Sequence, residues 1–213
     1  TPEELEAFES LHTAKTSPEP VHVAEKSKLT DIFTDFAKMP TTMRQLSWVQ
    51  FFSWFGLFGM WVFTTPAIAH HIYGLPLSYT GSQAYQDAGD WVGVLFGVYN
   101  LVSAIVALFF LPWVVKKIGR KLTHALSLFL GGIGLISIYF MPNEDWVILS
   151  MIFVGISWAS ILAMPYAILA GSISPRKMGV YMGIFNFFIV LPQIINALIG
   201  GPIVKYLYDG NAI

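Results

Sequence analysis

Uncharged stretches dominate this 213-residue chain. Five of them contain no Asp, Glu, Lys or Arg and cover residues 45–86, 91–115, 122–143, 146–175 and 178–204. A helix needs about 20 apolar residues to cross the roughly 30 Å hydrocarbon layer of a bilayer, and every stretch reaches that length. Only 12% of the residues are charged, whereas soluble domains carry about a quarter. The sequence therefore predicts an all-α membrane protein with five transmembrane helices.

The apolar part of each stretch defines the expected domain organisation. We expect the spans at about residues 45–69, 91–115, 122–142, 146–173 and 178–208. The segment over 70–90 is polar and rich in turn residues, so we interpret it as a loop. Residues 1–43 have no apolar core and are expected to form a linker rather than a signal peptide, which leaves 44–213 as the membrane domain.

The linker alternates acidic and basic residues. Two segments, PEELEAFESL at 2–11 and LTDIFTDFAKMP at 29–40, have the pattern of short amphipathic surface helices that start after Thr1 and Thr30. The alternative is a solvated linker without fixed structure, which the composition also allows.

The distribution of charge predicts the orientation of the spans. Eleven of the twelve Lys and Arg residues fall before the first span, between the second and third, or between the fourth and fifth, and Lys205 is the exception. Acids occupy the alternate connections: Asp87, Asp90, Glu144, Asp145 and Asp209. Because basic residues near span ends are retained inside, we expect the amino-terminal tail to be cytoplasmic and the carboxyl end to lie outside.

Several function classes are disfavoured by composition. A net charge of −1 gives no basic surface for nucleic acid, and zero cysteines exclude disulfides and thiolate metal sites. The sequence has no HExxH motif, no pair of acids deep in a span and no nucleophile next to a base, so we expect no catalytic residue, no metal site and no enzyme activity. Bis-histidine haem ligation is also disfavoured, because the histidines of the membrane region lie at span ends.

An internal repeat relates the second and fifth spans. Residues 93–100 (GVLFGVYN) and 179–186 (GVYMGIFN) share the pattern G-V-x-x-G-(V/I)-(Y/F)-N. The first and fourth spans match more weakly over 61–68 and 158–168, so one unit is three helices. By the charge assignment the two copies run in opposite directions, which is typical of inverted-repeat transporters and disfavours a channel or a structural membrane protein. The paired glycines either let helices pack closely or form a smooth contact on which two halves rock.

Two segments carry a family resemblance. KKIGRKLTHALS at 116–127 and GISWASILAMPYAILAGSISPRKMGVYMGIFNFFIVLPQI at 155–194 resemble the carboxyl-terminal half of major-facilitator sugar symporters. The similarity covers nearly all of 38–208 and points to the sucrose/maltose proton-symporter branch, which is related to the glycoside-pentoside-hexuronide group. It implies spans seven to eleven of twelve, that is, five helices of a six-helix half built from inverted three-helix repeats.

The resemblance also implies a function. It suggests secondary active transport of a sugar, an α-glucoside such as maltose or sucrose, by alternating access in the plasma membrane, or in the inner membrane if the source is bacterial. It implies no cofactor other than a coupling ion, expected to be a proton. Because no acid or base lies deep in these spans, the proton-coupling group is expected in the amino-terminal half, which is the implied partner of this chain. The rival within transporters is efflux or carriage of another small solute.

The loop between the second and third spans resembles the superfamily signature G-x-x-x-D-x-x-G-R-(K/R). The carboxyl end of the signature matches, but Pro112 replaces the first glycine and Lys116 replaces the aspartate. The candidate loop motif is Lys116, Lys117, Gly119, Arg120 and Lys121. Its cations are sufficient to retain the loop in the cytoplasm.

Sugar recognition requires aromatic faces for the ring and amides or hydroxyls for its hydroxyl groups. Gln50, Trp54 and Trp61 lie on one helical face of the first span. In the repeat, Trp158 of the fourth span is equivalent to Trp61. Our candidate substrate-binding residues are Gln50, Trp54, Trp158, Asn100, Asn186 and Gln193. The alternative for the amides, Asn196 included, is interhelical hydrogen bonding, since an amide that faces lipid is costly.

Histidines and the other tryptophans have a simpler interpretation. His124, His70 and His71 lie near span ends, where we expect polar residues of the membrane interface, with a proton or metal role as the alternative. Trp48, Trp91 and Trp146 are expected to anchor the span ends at the interface.

Overall fold

Helices account for nearly all of the structure. The computed structural model describes residues 29–174 and 177–212, and no β-strand occurs within them. A short helix, α1, covers Leu29–Ala37, and five long helices follow. These helices, α2 to α6, cover Thr41–Ile72, Gln83–Ile118, Arg120–Phe140, Val147–Ala170 and Met178–Leu207, and all are long and apolar enough to cross a membrane. The predicted all-α fold with five membrane helices is confirmed.

Two of the long helices contain a π-helical segment close to a proline. In α2 the α-helix Thr41–Ala67 continues as a π-helix over Ile68–Ile72, directly after Pro66. In α3 the π-helix Val106–Phe110 precedes Pro112. Proline has no backbone N–H and its ring collides with the carbonyl four residues earlier, so the turn before Pro112 widens to accommodate it. This reason does not apply to the π-helix of α2, which follows Pro66.

The second membrane helix begins earlier than the sequence indicated. We expected a loop over 70–90, but α3 already starts at Gln83. Ser82 is the N-cap, and its side chain accepts a hydrogen bond from the backbone N–H of Tyr85 at 3.2 Å. This cap stabilises a first turn that is polar and exposed. A search for apolar stretches could not detect such a turn. The loop interpretation is therefore wrong for 83–90, and also for 70–72, which belong to the end of α2.

The amino-terminal segments are described only in part. The predicted helix over 29–40 is present as α1, whereas the predicted helix over 2–11 lies outside the described residues. Residues from Asp35 onwards form one compact unit. Within that unit, Asp35 forms an ion pair with Lys177 at the start of α6, and Phe36 stacks on Phe188 with 5.8 Å between ring centroids.

The long helices pair in a crossed arrangement. α2 packs chiefly against α6, and α5 packs against α3 and still more extensively against α4. In the three-helix repeat, α2 and α5 are the first helices, and α3 and α6 are the second. The first helix of each unit therefore packs on the second helix of the other, which interlocks the two units.

Small residues allow the closest helix contacts. A Cβ atom added at Gly134 of α4 would lie 2.8 Å from the carbonyl oxygen of Ser150 in α5, and one at Gly155 would lie 2.7 Å from the carbonyl oxygen of Tyr99. A side chain at either position would force the backbones apart. The repeat glycines differ: Gly93, Gly97, Gly179 and Gly183 are exposed, and a Cβ there would meet nothing within 4 Å. The predicted close packing at the repeat glycines does not occur within the described part of this chain.

Buried apolar residues form two clusters at different depths. One includes Leu57, Leu95 and Met151, and the other includes Met43 and Phe185. Several polar side chains are buried between or beside these clusters: Ser47, Gln50, Thr123, His124, Ser127, Ser157, Ser160 and Asn196. The hydroxyls of Ser47, Thr123 and Ser127 donate to carbonyls of their own helices or of the residue before the helix, so they are satisfied locally.

Candidate functional site

Three tryptophans meet where α2 approaches α5. Trp54 and Trp61 come from α2 and Trp158 comes from α5, and all three are half-buried. The ring centroids of Trp158 lie 5.7 Å from Trp54 and 5.5 Å from Trp61, and those of Trp54 and Trp61 are 6.1 Å apart. All three pairs meet edge to face, the arrangement favoured by the aromatic quadrupole. The structure thus brings together the predicted site residues Trp54 and Trp158.

Tyr99 of α3 completes this aromatic cluster. The Trp61 indole N–H donates to the Tyr99 hydroxyl at 3.0 Å, and the Tyr99 ring lies 6.5 Å from Trp158 and 5.5 Å from Phe96. We call Trp54, Trp61, Tyr99 and Trp158 the aromatic junction. Tyr99 is a member of this cluster that was not among the predicted site residues. Its position in the repeated motif, directly before Asn100, was the available signal.

Gln50 lies one helical turn before Trp54 on α2. Its side chain is fully buried, and among the residues the structure describes neither its amide nitrogen nor its amide oxygen has a hydrogen-bond partner. The indole N–H of Trp54 is likewise unpaired there. A buried polar group without a partner costs about 1–3 kcal/mol, and native structures contain few. Gln50 therefore holds an amide acceptor and an amide donor, and Trp54 an indole donor, that have no partner in the part of the chain that the structure describes.

The other predicted amides lie elsewhere on α3 and α6. Asn100 is exposed and donates to the Phe96 carbonyl at 2.8 Å, and Gln193 donates to the Ile189 carbonyl at 2.9 Å. Asn186 is exposed and accepts a hydrogen bond from the Tyr166 hydroxyl at 3.1 Å. None of these bonds involves the aromatic junction.

Asn196 connects two helices. Its buried amide nitrogen donates to the Phe55 carbonyl of α2 at 3.1 Å. This contact is the interhelical hydrogen bonding that we considered as the alternative for the amides.

His124 is buried, contrary to its predicted place at the membrane interface. It lies in the second turn of α4 on the side that packs against α5, and its Nδ1 is 2.9 Å from the Ser160 hydroxyl oxygen. The prediction counted residues from the end of the span and did not consider the direction of the side chain. His70 and His71 do lie at the other end of the membrane domain, where their ring N–H groups donate to the carbonyls of Leu75 at 2.8 Å and Tyr139 at 2.9 Å.

Two of the three predicted anchor tryptophans are exposed at helix ends. Trp48 and Trp146 expose 58% and 56% of their surface, which suits the interface. Trp91 is half-buried, and its indole N–H donates to the Glu144 carbonyl at 3.1 Å. This hydrogen bond therefore links α3 to the segment that precedes α5.

The predicted loop motif connects α3 to α4. Gly119 has a φ of 80°, a backbone conformation that favours glycine, and this tight turn separates the two helices. Arg120 donates to the Ala167 carbonyl at 3.0 Å near the carboxyl end of α5, where a cation also complements the helix dipole. The Lys117 ammonium lies 3.9 Å from the Trp113 ring centroid. Lys116 and Lys121 are exposed.

Comparison with known proteins identifies the family. The Major Facilitator Superfamily profile matches residues 5–197. The chain belongs to the Major Facilitator Superfamily. It is therefore a multi-pass membrane protein, and the family resemblance seen in the sequence is confirmed.

Relatives of this superfamily member include two plant proteins. It is 27% identical over 212 residues to sucrose transport protein SUT2 of Oryza sativa subsp. indica, covering 88% of this chain and 41% of the relative. It is 25% identical to sucrose transport protein SUT5 of the same subspecies, covering 85% of this chain and 38% of the relative. The chain thus spans about two fifths of the length of these curated relatives. No solved structure matches the chain.

Proposed function

We propose that this chain forms part of a secondary active carrier that moves a sugar across the plasma membrane by alternating access. The proposed substrate is an α-glucoside such as sucrose or maltose, and the proposed coupling ion is a proton. Membership of the Major Facilitator Superfamily supports transport, and the names of the relatives support a sugar as the substrate. The activity belongs to the intact protein, to which this chain contributes one bundle of helices.

The observation that carries the proposal is the aromatic junction beside the unpaired amide of Gln50. Aromatic rings bind the apolar face of a sugar, while an amide exchanges hydrogen bonds with its hydroxyl groups. Trp54 and Gln50 lie on α2 and Trp158 lies on α5, which are the first helices of the two repeat units. A ligand held there would contact both units at once, and its binding would favour the conformation in which they close around it.

A second feature supports an assembly with another helical bundle. Gly93, Gly97 and Asn100 lie on one face of α3, and the equivalent residues lie on one face of α6, all exposed. Amides that face lipid are costly, and small residues allow close helix contact. We infer that these two faces pack against the amino-terminal half of the transporter. A glycine surface without side chains would let the two halves move against each other during transport.

The proton-coupling group is proposed to lie in that other half. Among the described residues of α2 to α6 the acids are Asp87 and Asp90, both exposed in the first turns of α3 rather than deep in the bilayer. A proton relay needs a titratable group within the membrane. The carrier needs no other cofactor.

Uptake by reconstituted vesicles tests the proposal. Vesicles that contain the intact protein are given labelled sucrose or maltose, with and without an imposed proton gradient. We expect gradient-driven accumulation, and we expect Trp158→Ala to reduce it about tenfold or more because the junction loses its only residue from α5. Trp146→Ala is the matched control, since Trp146 is exposed at the amino-terminal end of the same helix.

Three outcomes discriminate among the possibilities. Sugar accumulation that depends on the proton gradient supports the sugar symporter. Sugar flux that is the same with and without the gradient contradicts proton coupling but is still consistent with a facilitated sugar carrier. No flux of either sugar, together with export of unrelated small solutes, would support the efflux alternative. Unchanged transport by a folded Trp158→Ala variant would contradict the role of the aromatic junction.

A further inference from the structure

An apolar groove lies between α3, α4 and α5. Its volume is about 500 Å³. The walls come from three helices and include Val102 and Val106 of α3, Leu126 and Leu130 of α4, and Ile152 and Ile156 of α5. The π-helical segment Val106–Phe110 forms part of one wall. The groove is separate from the aromatic junction.

The chemistry of the groove selects an apolar occupant. Thr123 and Ser127 line it, but both hydroxyls donate to carbonyls of the chain, Thr123 to Gly119 at 2.7 Å and Ser127 to Thr123 at 2.9 Å. Both residues are more than nine-tenths buried. Little polar surface therefore faces the groove, and a hydrocarbon chain matches its walls better than a sugar does.

Four cations lie in the loop between α3 and α4, and we call them the cationic rim. They are Lys116, Lys117, Arg120 and Lys121, which lie within about one helical turn along the chain of the groove-lining residues Val114 and Thr123. The four cations are exposed, and Lys117 lies over the exposed ring of Trp113. An aromatic ring and a cation side by side are typical of the lipid headgroup level. Asp35, the buried acid of the described residues, pairs with Lys177 rather than with this rim.

We propose that this groove binds an anionic phospholipid, with an acyl chain between α3, α4 and α5 and the headgroup phosphate on the rim cations. The rim lies on the side that we expect to face the cytoplasm, where anionic lipids are enriched. Each Lys or Arg near such a surface contributes about the same attraction, so the effect depends on charge rather than on a particular hydrogen-bond geometry. The bound lipid would fill the gap between α3 and α4 and hold the loop close to the membrane.

Native mass spectrometry of the intact protein tests the proposal. The protein is reconstituted into nanodiscs that contain equal amounts of phosphatidylglycerol and phosphatidylcholine, and the lipid retained after release is identified. We expect preferential retention of one phosphatidylglycerol. The double variant Lys116→Gln/Lys117→Gln should weaken that retention by about 30-fold, the product of two lysine contributions. The charge-preserving variant Lys116→Arg/Lys117→Arg is the matched control and should retain phosphatidylglycerol.

A second variant tests the groove itself. Ile156→Trp places a bulky ring among the lining residues without changing charge, and we expect it to reduce retention of phosphatidylglycerol while sucrose uptake persists. Equal retention of the two lipids by the unmodified protein would overturn the proposal, whatever the variants do. Retention that survives both the loss of the lysines and the filling of the groove would also overturn it. Neither result bears on whether the intact protein carries sugar.

Discussion

The side of α5 that packs against α4 and the side that packs against α2 differ in the size and polarity of the side chains in contact. Towards α4, small residues interlock: Gly134 leaves no space for a Cβ atom, and the hydroxyls of Ser137 and Ser150 are 2.7 Å apart. Towards α2, the contact is made by indole rings, and the nearby Gln50 is buried with no hydrogen-bond partner among the residues that the structure describes. The first side has the close packing that stabilises a fold. The second leaves polar groups without partners, a cost that a ligand can relieve.

This difference suggests that one side of α5 stabilises the fold and the other side responds to the ligand. The side of α5 against α4 is expected to remain unchanged through the transport cycle, because tightly packed contacts resist deformation. The aromatic junction is expected to rearrange when the ligand binds, since bulky rings that meet edge to face can repack without breaking backbone contacts. Substitutions on the two sides should therefore separate stability from transport.

The largest expected effect is on the α4 side. Gly134→Ala places a Cβ atom 2.8 Å from the Ser150 carbonyl oxygen, so the helices must separate, and we expect a loss of about 1–3 kcal/mol in the free energy of unfolding. Gly132→Ala is the control, because a Cβ there meets nothing within 4 Å. Thermal unfolding of the purified protein measures both. Equal stability of the two variants would show that the α4 side is not tightly packed.

A smaller effect is expected for the two buried amides. Gln50→Leu removes a side chain whose polar atoms have no partner among the described residues, so the free energy of unfolding should stay the same or rise by about 1 kcal/mol. Asn196→Leu removes the hydrogen bond to Phe55 together with an amide oxygen that has no partner among the described residues, so it should lower the free energy of unfolding by about 0.6 kcal/mol or less. Chemical unfolding in detergent compares the pair. If Gln50→Leu is the more damaging change, Gln50 has a structural role instead.

The smallest expected effect concerns the orientation of Trp61. Tyr99→Phe keeps the ring but removes the acceptor of the Trp61 indole N–H, which costs about 1 kcal/mol or less. We expect a shift in tryptophan fluorescence and about a threefold weaker sugar affinity. Tyr206→Phe, at an exposed site near the end of α6, is the control. An unchanged emission spectrum in Tyr99→Phe would mean that the hydrogen bond does not position Trp61.

Hydrophobicity and charge predicted most of the fold. Five apolar stretches became five helices because span length is set by the bilayer. The start of α3 was missed because the cap at Ser82 extends the helix into polar residues, which an apolar pattern does not include. The repeat predicted which helices are equivalent, but not that its glycines would be exposed while Gly131, Gly134 and Gly155 make the close contacts. Which residues of a helix contact its neighbours depends on how the helix is rotated about its own axis. The spacing of residues in the sequence defines that rotation poorly.

The candidate site was only partly predictable. Helical periodicity placed Gln50, Trp54 and Trp61 on one face, but it could not bring Trp158 against them, because that contact depends on how α2 crosses α5. Tyr99 was missed because its place in the repeated motif marks the residue but does not identify Trp61 as its hydrogen-bond partner. His124 was placed at the interface by counting from the span end, although its side chain points towards α5.

Sucrose affinity of the intact protein, measured by isothermal titration calorimetry, is the most direct test of the central claim that the junction of α2 and α5 binds sugar. We predict that Gln50→Leu raises the dissociation constant about tenfold or more, which corresponds to the loss of about 1.4 kcal/mol, while the melting temperature does not fall. An unchanged dissociation constant in the folded Gln50→Leu protein would contradict the account.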